Sequence, residues 1–276
     1  MKNRMIRQGL FFLVAAGLCA GIPEGFCAEE FHCEVLSLKG SASATDVHGK
    51  TRELKEGDLI GKNEIVEAAE DSAVDLAFDR EWKNVARVEQ KSRIRIATID
   101  PAQLDLDRGG VFAKLKALPK GSSFEVKTPT AVATVRGTEY RTTFIEGHTE
   151  IFNVSASKVF VYGVRADGSV DRQQPVVLEQ SKKTQVTKAG APPEAPQDLS
   201  ADEQKMTDIL KTEIQIKIQE IQTSGRISNI QSVSDMEAMA AHLVEPNDSD
   251  ESRVVDLRRR PFKKAESAAP SPDDSK

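Results

Sequence analysis

Residues 128–140 read TPTAVATVRGTEY, and this stretch decides the fold class. The residue before Pro129 is pushed into an extended conformation, and small and β-branched residues then alternate up to Gly137. The pattern predicts a strand, a tight break at Gly137 and a second extended run that ends at Phe144. A glycine at such a break marks a bulge or a place where another backbone passes close by. We interpret it as an architectural corner of a barrel or solenoid; a binding site at this corner is the alternative.

Short strand patterns surround this stretch from residue 34 to residue 163. Turn signals rich in glycine, proline and aspartate separate them, and no helix-length period suggests βαβ units. The predicted fold class is therefore all-β, either a β-solenoid-like roll or a sandwich. The predicted strands cover residues 73–78, 85–99, 124–126, 131–135, 140–145, 150–154 and 159–162.

The opening stretch also resembles a family signature. Thr128-Pro129 followed by Ala133-x-Val135-Arg136-Gly137-Thr138-x-Tyr140 is similar to the signature of the FecR domain, the periplasmic module of iron-siderophore signalling regulators. Two flanking patterns resemble further parts of that family: Gly57-Asp58 followed by Asp71-Ser72-x-Val74-x-Leu76, and Leu104-x-Leu106-x-x-Gly109-Gly110-Val111. The resemblance extends over residues 35–190, which is more than a single short motif would support.

This resemblance implies a roll rather than an immunoglobulin-type sandwich, a periplasmic or secreted location, and no catalysis. It supplies no catalytic residue, so Thr128, Pro129, Arg136, Gly137 and Thr138 are expected to be structural signature positions. Membrane regulators of the family carry a cytoplasmic anti-sigma segment and a membrane span before this domain. Here only a secretion signal is expected before the domain. This implies a stand-alone secreted form that does not bind a sigma factor directly.

Composition allows one modest domain with extensions. The chain has 276 residues, of which 39% are hydrophobic, and a formal net charge of −5. That hydrophobic content is enough for a core of moderate size. A nucleic-acid-binding protein usually shows a basic excess, so the charge argues against that class.

Residues 1–28 have the pattern of a secretory signal peptide. Lys2, Arg4 and Arg7 form a basic start, an apolar run of residues 10–20 follows, and Ala28 offers a small residue for cleavage. The run is too short for an ordinary membrane span, although an uncleaved anchor is the alternative. The expected location is periplasmic or secreted.

Cleavage after Ala28 would leave Cys33 as the single cysteine, so no disulfide within the chain is expected. Cys33 is adjacent to His32, but neighbouring residues in a strand point to opposite faces. We therefore interpret Cys33 as a half-buried structural residue. No metal or other cofactor is predicted.

Chemistry is hard to find in the β region, because no known hydrolase, phosphate-binding or metal motif occurs there. The acidic residues Asp58, Asp71, Asp75, Asp79 and Glu81 are interpreted as turn caps rather than a calcium or catalytic site. Trp82 lies in a charged loop and is a candidate interface anchor. The alternative is a loop that folds back and buries the indole over the β roll.

The chain changes character after residue 190. Residues 191–199 are predicted to be a proline-rich linker, and residues 200–244 an amphipathic helical extension with capping boxes at Ser200/Glu203 and Ser234/Glu237. The favoured interpretation packs these helices on the β domain or on each other; a docking element for a partner is the alternative. Residues 245–276 are predicted to be a disordered charged tail. Its basic residues are candidates for weak contact with anionic envelope surfaces: Arg258, Arg259, Arg260, Lys263 and Lys264.

Two classes of function fit these patterns. One is a non-enzymatic envelope module that binds a protein or ligand, with a place in envelope signalling. The other is a structural or scaffolding component of the periplasm or cell surface. An enzyme is the least favoured class.

Overall fold

The all-β prediction is confirmed by a computed structural model, which describes residues 32–116 and 118–230. The described part contains 17 strands and one helix, α1 (Ala201–Ser224). The strands form two sheets, named sheet A and sheet B, and the predicted leader, second helix and tail lie outside the described residues. The strand predictions that began at residues 73, 124, 131, 140, 150 and 159 are confirmed to within two residues at either end, and the predicted run of residues 85–99 is two strands rather than one.

Sheet A contains nine strand segments that run antiparallel to their neighbours. In spatial order they are β4 (Leu59–Ile60), β1 (Cys33–Lys39), β6 (Ala73–Ala77), β7 (Asn84–Val88), the second half of β9 (Ala102–Leu115), β12 (Glu139–Ile145), β13 (His148–Asn153), β16 (Lys182–Val186) and β17 (Gln197–Asp198).

Sheet B also contains nine segments. In spatial order they are β3 (Thr51–Glu53), β2 (Ala42–Thr45), β5 (Ile65–Ala68), β8 (Arg93–Ile99), the first half of β9, β10 (Phe124–Lys127), β11 (Ala131–Val135), β14 (Val159–Gly163) and β15 (Val176–Leu178). All pairs are antiparallel except β9 with β10. Since β9 pairs in both sheets, it joins the two into one structure.

Most strands continue from one sheet into the other through a short bend. β5 passes into β6, β7 into β8, β11 into β12 and β13 into β14. The chain therefore winds between the two sheets. The sequence did not predict the short segments at residues 42–45, 51–53, 59–60 and 65–68, nor that residues 102–115 form one long strand.

The bends repeat one hydrogen-bonded device. Asp71 has a φ of 54° and is followed by Ser72, whose hydroxyl oxygen accepts a hydrogen bond from the Ser41 N–H at 2.9 Å. In the next bend Lys91 has a φ of 55°, and the Ser92 hydroxyl accepts from the Gly110 N–H at 2.8 Å. Each serine hydroxyl thus accepts a hydrogen bond from a backbone N–H of a neighbouring segment, so that this N–H has a partner.

The main core lies between the two sheets. Strand residues alternate in and out, as the period of two requires. In β7, Ala86 and Val88 face this core, and in β9, Val111 and Ala113 do the same. The intervening residues face outward, where sheet A is covered by α1.

Helix α1 begins at the predicted capping box. Ser200 and Glu203 form the predicted capping box, and Gly225 ends the helix with a φ of 72°. Ile214, Ile218 and Ile221 are buried against outward residues of sheet A. The favoured prediction, a helix packed on the β domain, is confirmed for this helix.

The predicted linker at residues 191–199 differs from the structure in one respect. It contains β17, which pairs with β16 through Lys182 and Lys183 at the edge of sheet A. The three prolines of this segment precede β17, so they do not interrupt the pairing. The pairing of β17 places the start of α1 next to the edge of sheet A.

Candidate functional site

Thr128 closes the hairpin between β10 and β11. Its hydroxyl oxygen accepts a hydrogen bond from the Ala131 N–H at 2.9 Å, and it lies 2.6 Å from the hydroxyl of Thr149 on β13. Thr130 makes the same 2.6 Å contact with Thr149. Because all three threonines are buried, this cluster ties the two sheets together at the turn, with the exposed Pro129 at its tip.

Gly137 forms the bend between β11 and β12. Its φ is +130°, a backbone conformation that side chains with a Cβ rarely adopt. The sequence offered a second reason, a close backbone, and that reason is wrong. A Cβ at this position would meet the carbonyl oxygen of Leu115 at an ordinary 4.0 Å. Gly137 is therefore required by its backbone conformation.

Thr138 joins this bend to the neighbouring bend of β13 and β14. It is buried, its carbonyl accepts from the Leu115 N–H at 3.0 Å, and its hydroxyl contacts that of Ser155. Asn153 supports the same place: its side-chain amide donates to the carbonyls of Ser157 at 2.7 Å and Leu178 at 2.9 Å. The signature bend is thus held by neighbours on both sides.

Arg136 differs from the other signature residues. Its side chain is exposed, and within the described residues it makes no hydrogen bond or ion pair. The fold accounts for Thr128, Gly137 and Thr138 but assigns no structural contact to this arginine. Arg136 is therefore the signature position that remains available to a ligand or partner.

Trp82 is not exposed, and the expectation of a surface anchor is wrong on this point. Its side chain is only 6% exposed and packs in a cluster with Phe112 of β9 and with Ile214 and Ile218 of α1. Its φ of 55° turns the loop back over sheet A. The indole contacts the chain's own helix, which is the alternative that the sequence analysis left open.

Polar contacts accompany this apolar cluster along α1. Arg87 donates to the Asp75 carboxylate at 2.7 Å and 2.9 Å, and to Glu213 of α1 at 2.5 Å. Burial lowers the pKa of the Arg87 guanidinium, but the two carboxylates more than offset it, so that this pKa lies above its ordinary value. Asp75 is therefore a buried ion-pair partner and not the turn cap that the sequence suggested.

Further contacts hold both ends of α1. Near the start, Lys183 of β16 donates to Glu203 at 2.5 Å. After the end, Arg226 donates to the buried Glu34 carboxylate of β1 at 2.7 Å, and the Ser228 hydroxyl donates to the same carboxylate. Neither Glu34 nor Arg226 belongs to a sequence motif, so local sequence does not identify this pair.

The expected turn caps are confirmed at two positions. Asp79 accepts from the N–H groups of Glu81, Lys83 and Asn84, and Asp58 accepts from that of Lys55. Among residues 32–116 and 118–230, no group of three or more histidine, cysteine or acidic side chains is arranged to hold a metal ion. These carboxylates organise loops.

The buried ionisable groups between the sheets are held neutral. Burial raises the pKa of the Cys33 thiol to about 12, and the sulfur lies 3.7 Å from the Ile60 carbonyl oxygen. Burial also raises the pKa of Tyr140 well above its ordinary value. Cys33 was expected to be half-buried, whereas it is fully buried; its burial agrees with a structural role. A neutral thiol is a poor nucleophile.

The helix of the described part is not long and apolar enough to cross a membrane. The candidate envelope contacts at Arg258, Arg259, Arg260, Lys263 and Lys264 lie outside the described residues. The described site consists of the signature bend with Arg136 on its surface, and of sheet A closed by α1.

Comparison with known proteins finds two similar structures and one family match within the β domain. Two crystal structures of a proposed anti-sigma factor from Parabacteroides distasonis ATCC 8503, at 2.50 Å and 1.65 Å resolution, are similar to the chain. They are 14% and 13% identical, both with a TM-score of 0.42 over 53% of this chain. The aligned part spans 63% and 64% of the length of those two structures. No curated protein matches the sequence. The model of the FecR protein family matches residues 65–159, from the start of β5 to the start of β14, and the chain therefore carries a FecR domain.

Proposed function

We propose that this chain is a non-enzymatic module of the cell envelope that binds a protein partner as part of envelope signalling. The FecR domain at residues 65–159 supports a regulatory role, because the family includes the periplasmic modules of signalling regulators. Export by residues 1–28 is part of the proposal. The basic start, the short apolar run and the small residue at Ala28 support it.

The exposed side chain of Arg136 carries the proposal. It lies on the signature bend, which the surrounding strands fix in place, and no neighbour in the described chain takes up its charge. Arginine presents five donors in a rigid plane and is enriched where protein interfaces contribute most affinity. A partner that offers a carboxylate or backbone carbonyls to this bend would match it.

The buried polar groups favour binding over catalysis. The buried carboxylates of Glu34 and Asp75 each pair with an arginine, and these pairs hold α1 and sheet A. Catalytic acids and bases need an accessible proton and a pKa near the working pH. Groups that are fully occupied by structural contacts do not provide this.

A cross-linking experiment in intact cells tests the proposal. The full chain with a photo-reactive amino acid at Thr134, whose side chain is half-buried two residues before Arg136, would be expressed in its host and irradiated. We expect recovery in the envelope fraction and one recurrent cross-linked protein. Arg136→Ala should reduce that cross-link without changing the melting temperature, whereas Lys62→Ala, an exposed cation on another loop, should leave it intact.

Two results would contradict the proposal. One is recovery of the chain in the cytoplasm with its leader uncleaved. The other is a cross-link pattern that Arg136→Ala and Lys62→Ala affect equally, which would mean that the signature bend has no special role in binding.

A further inference from the structure

We propose that the outward face of α1 binds the same face of a second copy of this chain, with the two helices antiparallel. The inference goes beyond the envelope partner and does not depend on it. It rests on the exposure and the charges of α1.

Helix α1 carries apolar residues on the face that points away from sheet A. In the described part, six large hydrophobic side chains are exposed, and three of them lie on α1: Met206, Ile209 and Ile216. Ile209 and Ile216 are 49% and 53% exposed. They are seven residues apart, which is two turns or about 10 Å along one side of a helix. Among the described residues, sheet A packs on the opposite side of α1, so it does not cover this second apolar line.

The rest of the described surface has a different character. The outer face of sheet B carries ion pairs that satisfy one another, among them Arg93 with Glu67, Arg95 with Asp105 and Arg172 with Glu125. The outer face of sheet A is closed by α1 itself. The other three exposed large hydrophobic residues of the described part, Val47, Ile145 and Ile227, lie on three separate segments and form no comparable line.

The residues along this line complement themselves under a two-fold axis. If the axis passes between Thr212 and Glu213, residues at equal distances from that point face each other in an antiparallel pair. Ile209 of one copy then faces Ile216 of the other, and the reverse contact repeats it. Symmetric homodimers require a surface patch of this self-complementary kind.

The charges follow the same symmetry. Lys205 and Glu220 are also equidistant from the axis, about 22 Å apart on one helix, so each Lys205 would face a Glu220 of the other copy. Within the described residues Lys205 has no ion-pair partner, and Glu220 remains 61% exposed, with only Lys217 at 3.7 Å. Both charges are therefore available to a second copy.

Glu213 lies close to the axis, where two copies of one carboxylate would repel each other. Arg87 binds this carboxylate at 2.5 Å but also binds Asp75, so the three groups keep one negative charge, which weakens the pairing of two copies. A single helix face is smaller than the roughly 1,200 Å² of total buried surface that stable complexes need. We therefore expect a dimer that forms and dissociates with concentration.

Sedimentation velocity over a concentration series tests the proposal on the full chain. The wild-type protein should shift from monomer to dimer. Ile216→Asp should abolish the shift, and Lys205→Glu or Glu220→Lys alone should raise the dimer dissociation constant by roughly tenfold. The double exchange Lys205→Glu with Glu220→Lys restores opposite charges and should recover most of the wild-type affinity. Lys62→Glu, an exposed cation elsewhere, controls for net charge.

Circular dichroism melts of each variant establish that the fold is retained, since all of these positions are exposed. A wild-type chain that stays monomeric at every concentration would overturn the proposal. So would a double exchange that is no better than its single components, because recovery is specific to the antiparallel register. Loss of the dimer in Ile216→Asp with an unchanged Arg136-dependent cross-link would leave the proposed function standing, so the two claims fail separately.

Discussion

The carboxylate of Glu34 accepts a hydrogen bond from the guanidinium of Arg226 at 2.7 Å, although 192 residues separate them in sequence. Glu34 is fully buried in β1, and Arg226 follows the end of α1. The same guanidinium donates to the carbonyl of Leu36 at 2.9 Å. One arginine thus fixes the helical extension to the first strand of sheet A, which makes α1 a part of the β domain's structure.

Arg226→Ala should destabilise the protein by about 3 kcal/mol, because it leaves a buried carboxylate without its counter-charge. The Ser228 hydroxyl and the Asn229 N–H still bind Glu34, which limits the loss. Urea unfolding gives the free energy. Arg172→Ala removes a partly exposed pair with Glu125, in which the arginine is 52% exposed, and should cost about 1 kcal/mol. Equal costs for the two variants would refute the structural role of the buried pair.

Trp82→Ala should lower the free energy of unfolding by about 3–5 kcal/mol, as expected when a large buried aromatic side chain is removed. If the indole were instead an exposed interface anchor, its loss would leave folding intact. Thermal melts of the variant decide between them, with Ile145→Ala as the control at a position that is 51% exposed. A variant that melts like wild type would mean that the helix does not cover the indole.

Gly137→Val should destabilise the domain by about 1–3 kcal/mol, the usual cost of an unfavourable backbone conformation. Gly109→Ala should cost more, because its φ is +87° and a Cβ would also lie 2.6 Å from the Cα of Ser92. Chemical denaturation of both variants tests the order. If Gly137→Val were neutral, the positive φ at this bend would be in doubt.

Acid should loosen the start of α1. Burial raises the pKa of Glu203, but hydrogen bonds from Lys183 and Ser200 outweigh it, so this pKa lies below its ordinary value of 4.5. The folded state then binds fewer protons than the unfolded state, and the stability that Glu203 contributes is lost as the pH falls from 4.5 through the folded pKa. Unfolding curves should show that Glu203→Gln is less stable than wild type at neutral pH and that the difference shrinks in acid. Lys183→Met removes the partner of Glu203, and its loss of stability relative to wild type should also shrink in acid. A loss that does not change with pH would contradict this assignment.

Cys33 should resist alkylation in the folded protein. Burial raises the pKa of its thiol to about 12, and the side chain is fully enclosed. At a pH of about 8, iodoacetamide should label Cys33 only after denaturant is added, because the thiolate is the reactive form. Peptide mass spectrometry separates it from Cys19 and Cys27. Rapid labelling of native Cys33 would show that β1 opens readily.

Local patterns were enough to predict six of the strands, the bend at Gly137 and the start of α1. Each depends on neighbours in sequence: alternation in residues 131–135, a positive φ at one glycine, and a capping box at Ser200. The same patterns did not show which face of the β roll receives the helix. That depends on pairs such as Glu34 with Arg226 and Arg87 with Glu213, whose partners are brought together only by the fold.

Trp82 shows where the sequence was ambiguous. A tryptophan among charged residues fits an exposed loop and equally a loop that folds over a sheet. The deciding contacts come from Ile214 and Ile218, more than 130 positions away, so local sequence cannot supply them. Arg136 is the reverse case: the resemblance marked it as structural, and the structure gives it no contact to make.

Trp82 also offers the most direct test of whether α1 closes sheet A. It is the single tryptophan of the chain, so its fluorescence reports the contact between helix and sheet without interference. In the native protein we expect blue-shifted emission that acrylamide quenches weakly. On unfolding, the emission should shift to the red and become quenchable in the same transition in which the far-ultraviolet dichroism of the strands is lost. Red-shifted emission that acrylamide quenches freely before the strands unfold would show that α1 is detached, and would contradict the structure proposed for this module.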